Sequence, residues 1–159
     1  LAKIMSGDKR GFAPCTPMGV IEILKYYNVD LKGKNVTVLG RSMVVGKPLS
    51  MLLLNRDSTV TICHSRSKDL ENIVKGSDIL VSCMGRAKAV DKSFIKKGAV
   101  VIDVGINFDN DGNMCGDVDT DDVLERVSHI TPVPGGVGSV TSSILARHTL
   151  RACIQLHDL

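Results

Sequence analysis

The 159-residue sequence contains no tryptophan, and aromatic residues make up only 3% of it. So few rings leave no basis for an aromatic base-stacking platform. A basic patch is missing too: 20 Lys+Arg stand against 17 Asp+Glu, and the net charge of +3 is spread along the chain. That gives no electrostatic footprint for nucleic acid. No apolar stretch approaches the roughly 18 residues that read as a membrane-spanning helix. The opening residues Leu1–Asp8 include no apolar run of the kind that a secretory leader carries.

The five cysteines, Cys15, Cys63, Cys83, Cys115 and Cys153, are odd in number, widely spaced and without a C-x-x-C pair. Reduced thiols in a cytoplasmic compartment fit that usage better than a disulfide frame or a zinc site. Cys15 and Cys83 read as small buried residues rather than nucleophiles. His64, His129, His148 and His157 show no metal-ligand spacing. Asp117, Asp119, Asp121 and Asp122 lack the spacing and the closing Glu of a calcium loop, so they are read as acids favouring the positive end of the next helix. What the chain does have is 43% hydrophobic and 23% charged residues. That is the composition of one domain with a real core.

The apolar pattern divides the chain into alternating elements. Leu1–Pro14 reads as an irregular lead-in, and Thr16-Pro17 as a helix start with Thr as N-cap and Pro at the first helical position. Val20, Ile23, Leu24 and Tyr27 then recur at helical spacing as far as Asn28. Short β-branched runs follow at Val36–Leu39, Val60–Cys63, Ile79–Ser82, Val100–Val104 and His129–Thr131. Helical segments are expected at Lys47–Asn55, Asp69–Lys75 and Asp119–Val127, with a shorter link at Asp91–Lys97. A last long helix is expected from Ser139 to Gln155, burying Val140, Ile144, Leu145 and Ala152. Asn107–Cys115, with Asp111-Gly112 at its tip, reads as a small hairpin. Continuous apolar strands separated by helices predict an α/β fold: a doubly wound, Rossmann-like parallel sheet with helices on both faces.

Candidate chemistry gathers at the strand ends. Gly40-Arg41-Ser42-Met43-Val44-Val45-Gly46-Lys47-Pro48 follows the first strand and opens a helix, placing backbone N–H groups where a phosphate can sit. It is neither G-x-G-x-x-G nor a P-loop. At the end of the second strand, Cys63-His64-Ser65-Arg66-Ser67-Lys68 offers hydroxyls and cations where NAD-binding domains often place an acid. Arg41, Ser65 and Arg66 therefore read as an anion clamp, which favours NADP over NAD. Val104-Gly105-Ile106-Asn107 and Pro132-Val133-Pro134-Gly135-Gly136-Val137-Gly138 close two later strands on the same edge. Asp103 reads as a hydrogen-bonded strand-end carboxylate rather than a base.

Three of these segments together resemble one family closely. Pro14-Cys15-Thr16-Pro17-Met18-Gly19-Val20, the Gly40–Pro48 run, and Pro134-Gly135-Gly136-Val137-Gly138 with Thr141 look like hallmarks of bifunctional methylenetetrahydrofolate dehydrogenase/methenyltetrahydrofolate cyclohydrolase. The resemblance covers nearly the whole chain and includes Cys63-His64-Ser65 and Val101–Ile106. It implies an enzyme of one-carbon metabolism that oxidises 5,10-methylenetetrahydrofolate by hydride transfer to NADP and hydrolyses the product to 10-formyltetrahydrofolate. It also implies that Gly40, Arg41 and Ser42 line the dinucleotide phosphates and ribose, that Ser65 lies near the 2′-phosphate, and that Ile106 lies against the nicotinamide half. Pro134, Gly135, Gly136, Val137, Gly138 and Thr141 would form the wall where folate and nicotinamide meet. A homodimer is implied for the full enzyme, and the helix at Thr16-Pro17 would connect its two domains.

The resemblance also exposes an absence. The family's Tyr-x-x-x-Lys motif, which supplies the central acid/base, has no match here: Tyr26 and Tyr27 are followed four residues later by Asp30 and Leu31. No catalytic residue is assigned to this chain. With Leu1 in place of a methionine, residues 1–15 are expected to lead in from a missing amino-terminal catalytic domain, and 16–159 to form the NAD(P)-binding domain. Ser139-Val140 and Arg147-His148-Thr149 depart from the family's usual Pro-Met and Asn-Thr, both on the folate side. Three other readings stay open at this point. They are a non-catalytic dinucleotide-binding regulatory module, an unrelated NADP-dependent reductase, and a SAM-binding methyltransferase, which would want an acid after the second strand.

Overall fold

The computed structural model describes residues 2–8 and 10–157. Leu1 and Lys9 of the expected lead-in, and Asp158 and Leu159 at the end of the expected domain, lie outside the described residues. The strands are β1 (Asn35–Leu39), β2 (Thr59–Cys63), β3 (Ile79–Ser82), β4 (Val100–Asp103), β5 (Asn107–Phe108), β6 (Met114–Cys115) and β7 (His129–Ile130). All but β5 and β6 join one parallel sheet in the order β2-β1-β3-β4-β7. β5 and β6 pair antiparallel as the expected hairpin.

Side-chain alternation decides which layer each strand residue enters. Val36 and Val38 of β1, Ile79 and Val81 of β3 and Ile102 of β4 face one core, which is covered by α2 (Cys15–Tyr26), α3 (Gly46–Leu54) and the start of α6 (Val137–His157). Leu39, Leu80 and Val101 face the other. That second face is covered by α4 (Leu70–Lys75), α5 (Thr120–Val123) and the turns that carry Val90, Ile95 and Ala99. The doubly wound architecture holds, with long helices on one side and short elements on the other.

Several local expectations are corrected. β2 is not a strand covered on both faces: Cys63 is buried and Val60 is partly buried against the core under α3, while Thr59, Thr61 and Ile62 of this edge strand stay exposed. The lead-in is not wholly irregular, since α1 (Ala2–Met5) forms there. Its Ile4 is only 6% exposed in the core with α3, a burial worth about 2 kcal/mol, and Asn55 Nδ2 donates to the Ile4 carbonyl at 2.7 Å. α2 begins at Cys15 rather than after Thr16, with Pro14 as N-cap and no side-chain cap. Pro17 still falls within the first turn, where a missing N–H costs no intrahelical bond. The other end of α2 stops where expected. Asn28 takes a left-handed φ of 54°, with Asn28 N–H on the Lys25 carbonyl and Val29 N–H on the Leu24 carbonyl, the paired bonds of a Schellman stop. In α6, Ile144 is buried as expected but Leu145 is 58% exposed, because the stripe against α2 passes through Val137, Val140 and Ile144 instead.

Candidate functional site

β2 lies on one side of β1 and β3 on the other, so the strand order reverses at the carboxyl ends of β1 and β3. Open α/β sheets leave a crevice at such a point, and loops there meet ligands. The β1 loop occupies it. Gly40 has φ of 129°, and a Cβ on it would lie 2.5 Å from the Cys83 carbonyl oxygen. A Cβ on Gly46 would overlap the Gly40 carbonyl. Only glycine at both positions lets the loop fold back on itself and rest on β3.

Within that loop Ser42 has a definite task. Its hydroxyl accepts the N–H groups of Val45 at 3.0 Å and Gly46 at 3.4 Å, and its carbonyl accepts that of Lys47 at 3.0 Å. Ser42 thus caps α3 from inside the loop. Two accepted bonds use the hydroxyl's lone pairs, so what Ser42 has to offer a ligand is its proton, which suits a phosphate or ribose oxygen.

The β2 loop stands beside it. Gly40 N–H donates to the Cys63 carbonyl at 2.8 Å, extending the β1–β2 ladder and tying the two loops together. Arg41, Ser65 and Arg66 are all exposed on the surface of these neighbouring loops. Lys68 is also exposed, and the first acid after the strand is Asp69.

On the far side of the crevice, Ile106 is 65% exposed. It is held from both flanks: Gly105 N–H donates to Asp103 at 2.9 Å, and Asn107 Nδ2 donates to Asp117 at 2.9 Å. Burial pushes the Asp103 carboxyl up, partly offset by N–H donors from Val118, Asp117 and Gly105. Asp117, read from sequence as a helix-dipole acid, is instead fully buried and belongs to this framework. The available signal was its place in Cys115-Gly116-Asp117-Val118, an acid in apolar company. Cys83 lies under the same crevice, and burial, with Asp117 nearby, pushes its thiol up to about 12.

The Pro134–Thr141 segment is only partly surface. Pro134 follows a cis peptide bond and is exposed, as are Gly135 and Gly138. Val137 is 3% exposed and packs in the core, so its side chain supports the wall rather than lining it. Thr141 Oγ1 donates to the Val137 carbonyl at 3.0 Å and lies against Gly19 of α2. A concavity of about 630 Å³ runs between α2, α6 and the β4–β7 edge. It takes in Gly135 and Gly136 but none of Gly40, Arg41, Ser42, Ser65 or Arg66. Arg41, Ser42, Ser65 and Arg66 are exposed, so the loops of β1 and β2 form an open ledge outside that concavity. Among the described residues no three metal-ligating side chains gather.

Residues 14–157 match the family model of the tetrahydrofolate dehydrogenase/cyclohydrolase NAD(P)-binding domain. The chain belongs to this family. The bifunctional protein FolD of Clostridioides difficile is 68% identical over 152 residues, 96% of this chain and 53% of the relative. Among solved structures, the bifunctional FolD methylenetetrahydrofolate dehydrogenase/cyclohydrolase of Campylobacter jejuni superposes with a TM-score of 0.93 at 40% identity, over 94% of this chain and 53% of that one. The Trypanosoma brucei FolD, solved with NADP cofactor and an inhibitor, superposes at 0.87 and 42% identity, over 94% and 53%. This tetrahydrofolate dehydrogenase/cyclohydrolase domain spans about half the length of the relatives it matches.

Proposed function

We propose that this domain holds NADP at the carboxyl ends of β1 and β2, as one half of an enzyme that oxidises 5,10-methylenetetrahydrofolate to the methenyl form and hydrolyses that to 10-formyltetrahydrofolate. The observation that carries the reading is the ledge itself. Two glycines let backbone approach closely, a capped helix end lies behind them, and Arg41, Ser65 and Arg66 stand on adjoining loops with no acid among them. Guanidinium groups and hydroxyls recognise a 2′-phosphate, whereas an acid there would select the unphosphorylated ribose.

In this reading Gly40 and Ser42 meet the phosphates and ribose, and Arg41, Ser65 and Arg66 the 2′-phosphate. Ile106, fixed through its two buried acids, provides an apolar rest for the nicotinamide half. When bound, the cofactor supplies the hydride acceptor, and the domain supplies its position and orientation. Pro134, Gly135, Gly136, Gly138 and Thr141 would face tetrahydrofolate, with Val137 as their buried support. The central acid/base would come from the other half of the parent enzyme. Exposed Leu145, Leu150 and Leu156 on α6 offer apolar surface for that half. A cytoplasmic homodimer is the proposed setting.

Calorimetric titration tests the reading. The chain should bind NADP in preference to NAD, and Arg41→Glu should weaken NADP far more than NAD. Equal losses would remove the clamp, and no binding at millimolar NADP would remove the cofactor. Adding the amino-terminal half of a relative should bring up folate-dependent reduction of NADP, whereas a regulatory module would stay silent.

A further inference from the structure

The residues proposed to recognise the 2′-phosphate sit on a turn of their own, and that turn is organised by a histidine. Beyond the buried Cys63 the chain leaves the sheet, and three hydrogen bonds close it within four residues. Ser67 N–H donates to the His64 carbonyl at 2.8 Å, His64 N–H donates to Ser67 Oγ at 3.0 Å, and Arg66 N–H donates to His64 Nδ1 at 3.2 Å. With Nδ1 accepting, the neutral imidazole carries its proton on Nε2.

The third bond is the informative one. A side-chain acceptor on one residue taking the backbone N–H two positions ahead is the arrangement that Asn and Asp use in Asx turns. Here the imidazole takes that place. The bond fixes the main chain of Arg66 and the peptide leading out of Ser65, while Ser67 is turned inward. Its hydroxyl accepts the His64 N–H and closes the turn. Of the two serines in Ser65-Arg66-Ser67, the turn therefore commits Ser67 to its own closure and leaves Ser65 and Arg66 at the surface beside the Arg41 loop.

We propose that His64 is a positioning residue for cofactor discrimination: through its Nδ1 bond to the Arg66 amide it presents Ser65 and Arg66 to the 2′-phosphate of NADP. This rests on the cofactor reading above. His64 does not itself touch the ligand, so its loss should be felt only where the 2′-phosphate is present.

Binding of NADP and NAD by wild-type, His64→Ala and His64→Asn chains tests it. Losing one hydrogen bond that orders the turn should weaken NADP about fivefold in His64→Ala, with NAD unchanged. His64→Asn should restore NADP affinity, because the Asn carbonyl can accept the same N–H. Backbone amide exchange at Arg66 should quicken in the Ala variant and slow again in the Asn variant. If Ala and wild type bind NADP equally, or if Ala weakens NADP and NAD alike, the proposal fails while the cofactor reading stands. Failure of Asn to restore binding would mean that the imidazole acts directly, which also overturns it. Binding of neither nucleotide by the wild-type chain overturns the cofactor reading, and this inference with it.

Discussion

The carboxylate of Asp103 holds the backbone N–H of Asp117 at 3.1 Å, so one buried acid fixes the main chain that carries the other. Asp103 also takes the N–H groups of Gly105 and Val118. Asp117 in turn accepts from the Ser82 hydroxyl at 2.9 Å, the Met84 N–H at 2.6 Å, the Arg86 N–H at 2.9 Å and Asn107 Nδ2 at 2.9 Å. The pair ties together the ends of β3 and β4, the loop after β3 and the turn that raises Ile106. Amide and hydroxyl dipoles thus stabilise both carboxylates, which satisfies a buried acid only if every bond is kept.

Removing Asp117 should therefore be costly. Asp117→Ala strands several donors at once, and a loss of about 3 kcal/mol of unfolding free energy is expected by urea denaturation. Asp117→Asn keeps one acceptor oxygen and should recover part of that loss. A change below about 0.5 kcal/mol in Asp117→Ala, the range of ordinary surface substitutions, would show that the clasp contributes little.

Two glycine substitutions should act in opposite directions. Gly46→Ala puts a methyl into the Gly40 carbonyl and should destabilise by about 2 kcal/mol or more while loosening the β1 loop. Gly138 lies in α6, where an added Cβ would have open space around it to 4 Å. Gly138→Ala should stabilise by about 0.5–1 kcal/mol through helix propensity and a less free unfolded chain. Thermal melts of the two variants beside the wild type decide the matter, and melting temperatures that shift the same way would contradict it.

The α2–α6 seam should be sensitive to acid. His148 lies with its Nδ1 4.0 Å from the Cys15 thiol and its ring 5.4 Å from that of Phe12. Burial, with Arg147 and Arg151 nearby, holds its imidazole below the ordinary value of 6.5. Between that lowered value and 6.5 the unfolded chain binds more protons than the folded one, so this group's stabilisation rises as pH climbs through the window and is lost as pH falls. Comparing melts at pH 5.5 and 7.5, His148→Gln should show a smaller acid-induced drop than wild type. An equal drop would place the sensitivity elsewhere.

How much of the molecule is legible in its sequence follows from how locally each feature is determined. β1 and β3 are legible because both faces are covered, which forces a short, mostly apolar run in which nearly every residue is buried. The Gly40–Gly46 turn is legible because close backbone approach admits no other residue. The β2 edge is not, since Thr59-Val60-Thr61-Ile62-Cys63 is β-branched whichever layer covers it. Leu145 reads as part of the buried side of α6 because helical spacing fixes the period of a stripe but not which neighbour receives it. Asp117 reads as one helix-dipole acid among four because three more follow within five residues, and only the fold separates the buried one from the rest. His64 appears in the sequence as part of the Cys63–Lys68 loop without metal-ligand spacing, and its bond to Arg66 becomes visible only when the turn is drawn closed.

The unequal cladding of the sheet has a mechanical corollary. One side is braced by long helices and the other by short turns, so thermal fluctuation should peel the domain from the turn-clad side first. The crevice straddles this divide: the loop of Arg41 is rooted in the braced side through α3, and Ile106 hangs from the lighter side through Asp103 and Asp117. A guest lying across both would act as a stitch between them.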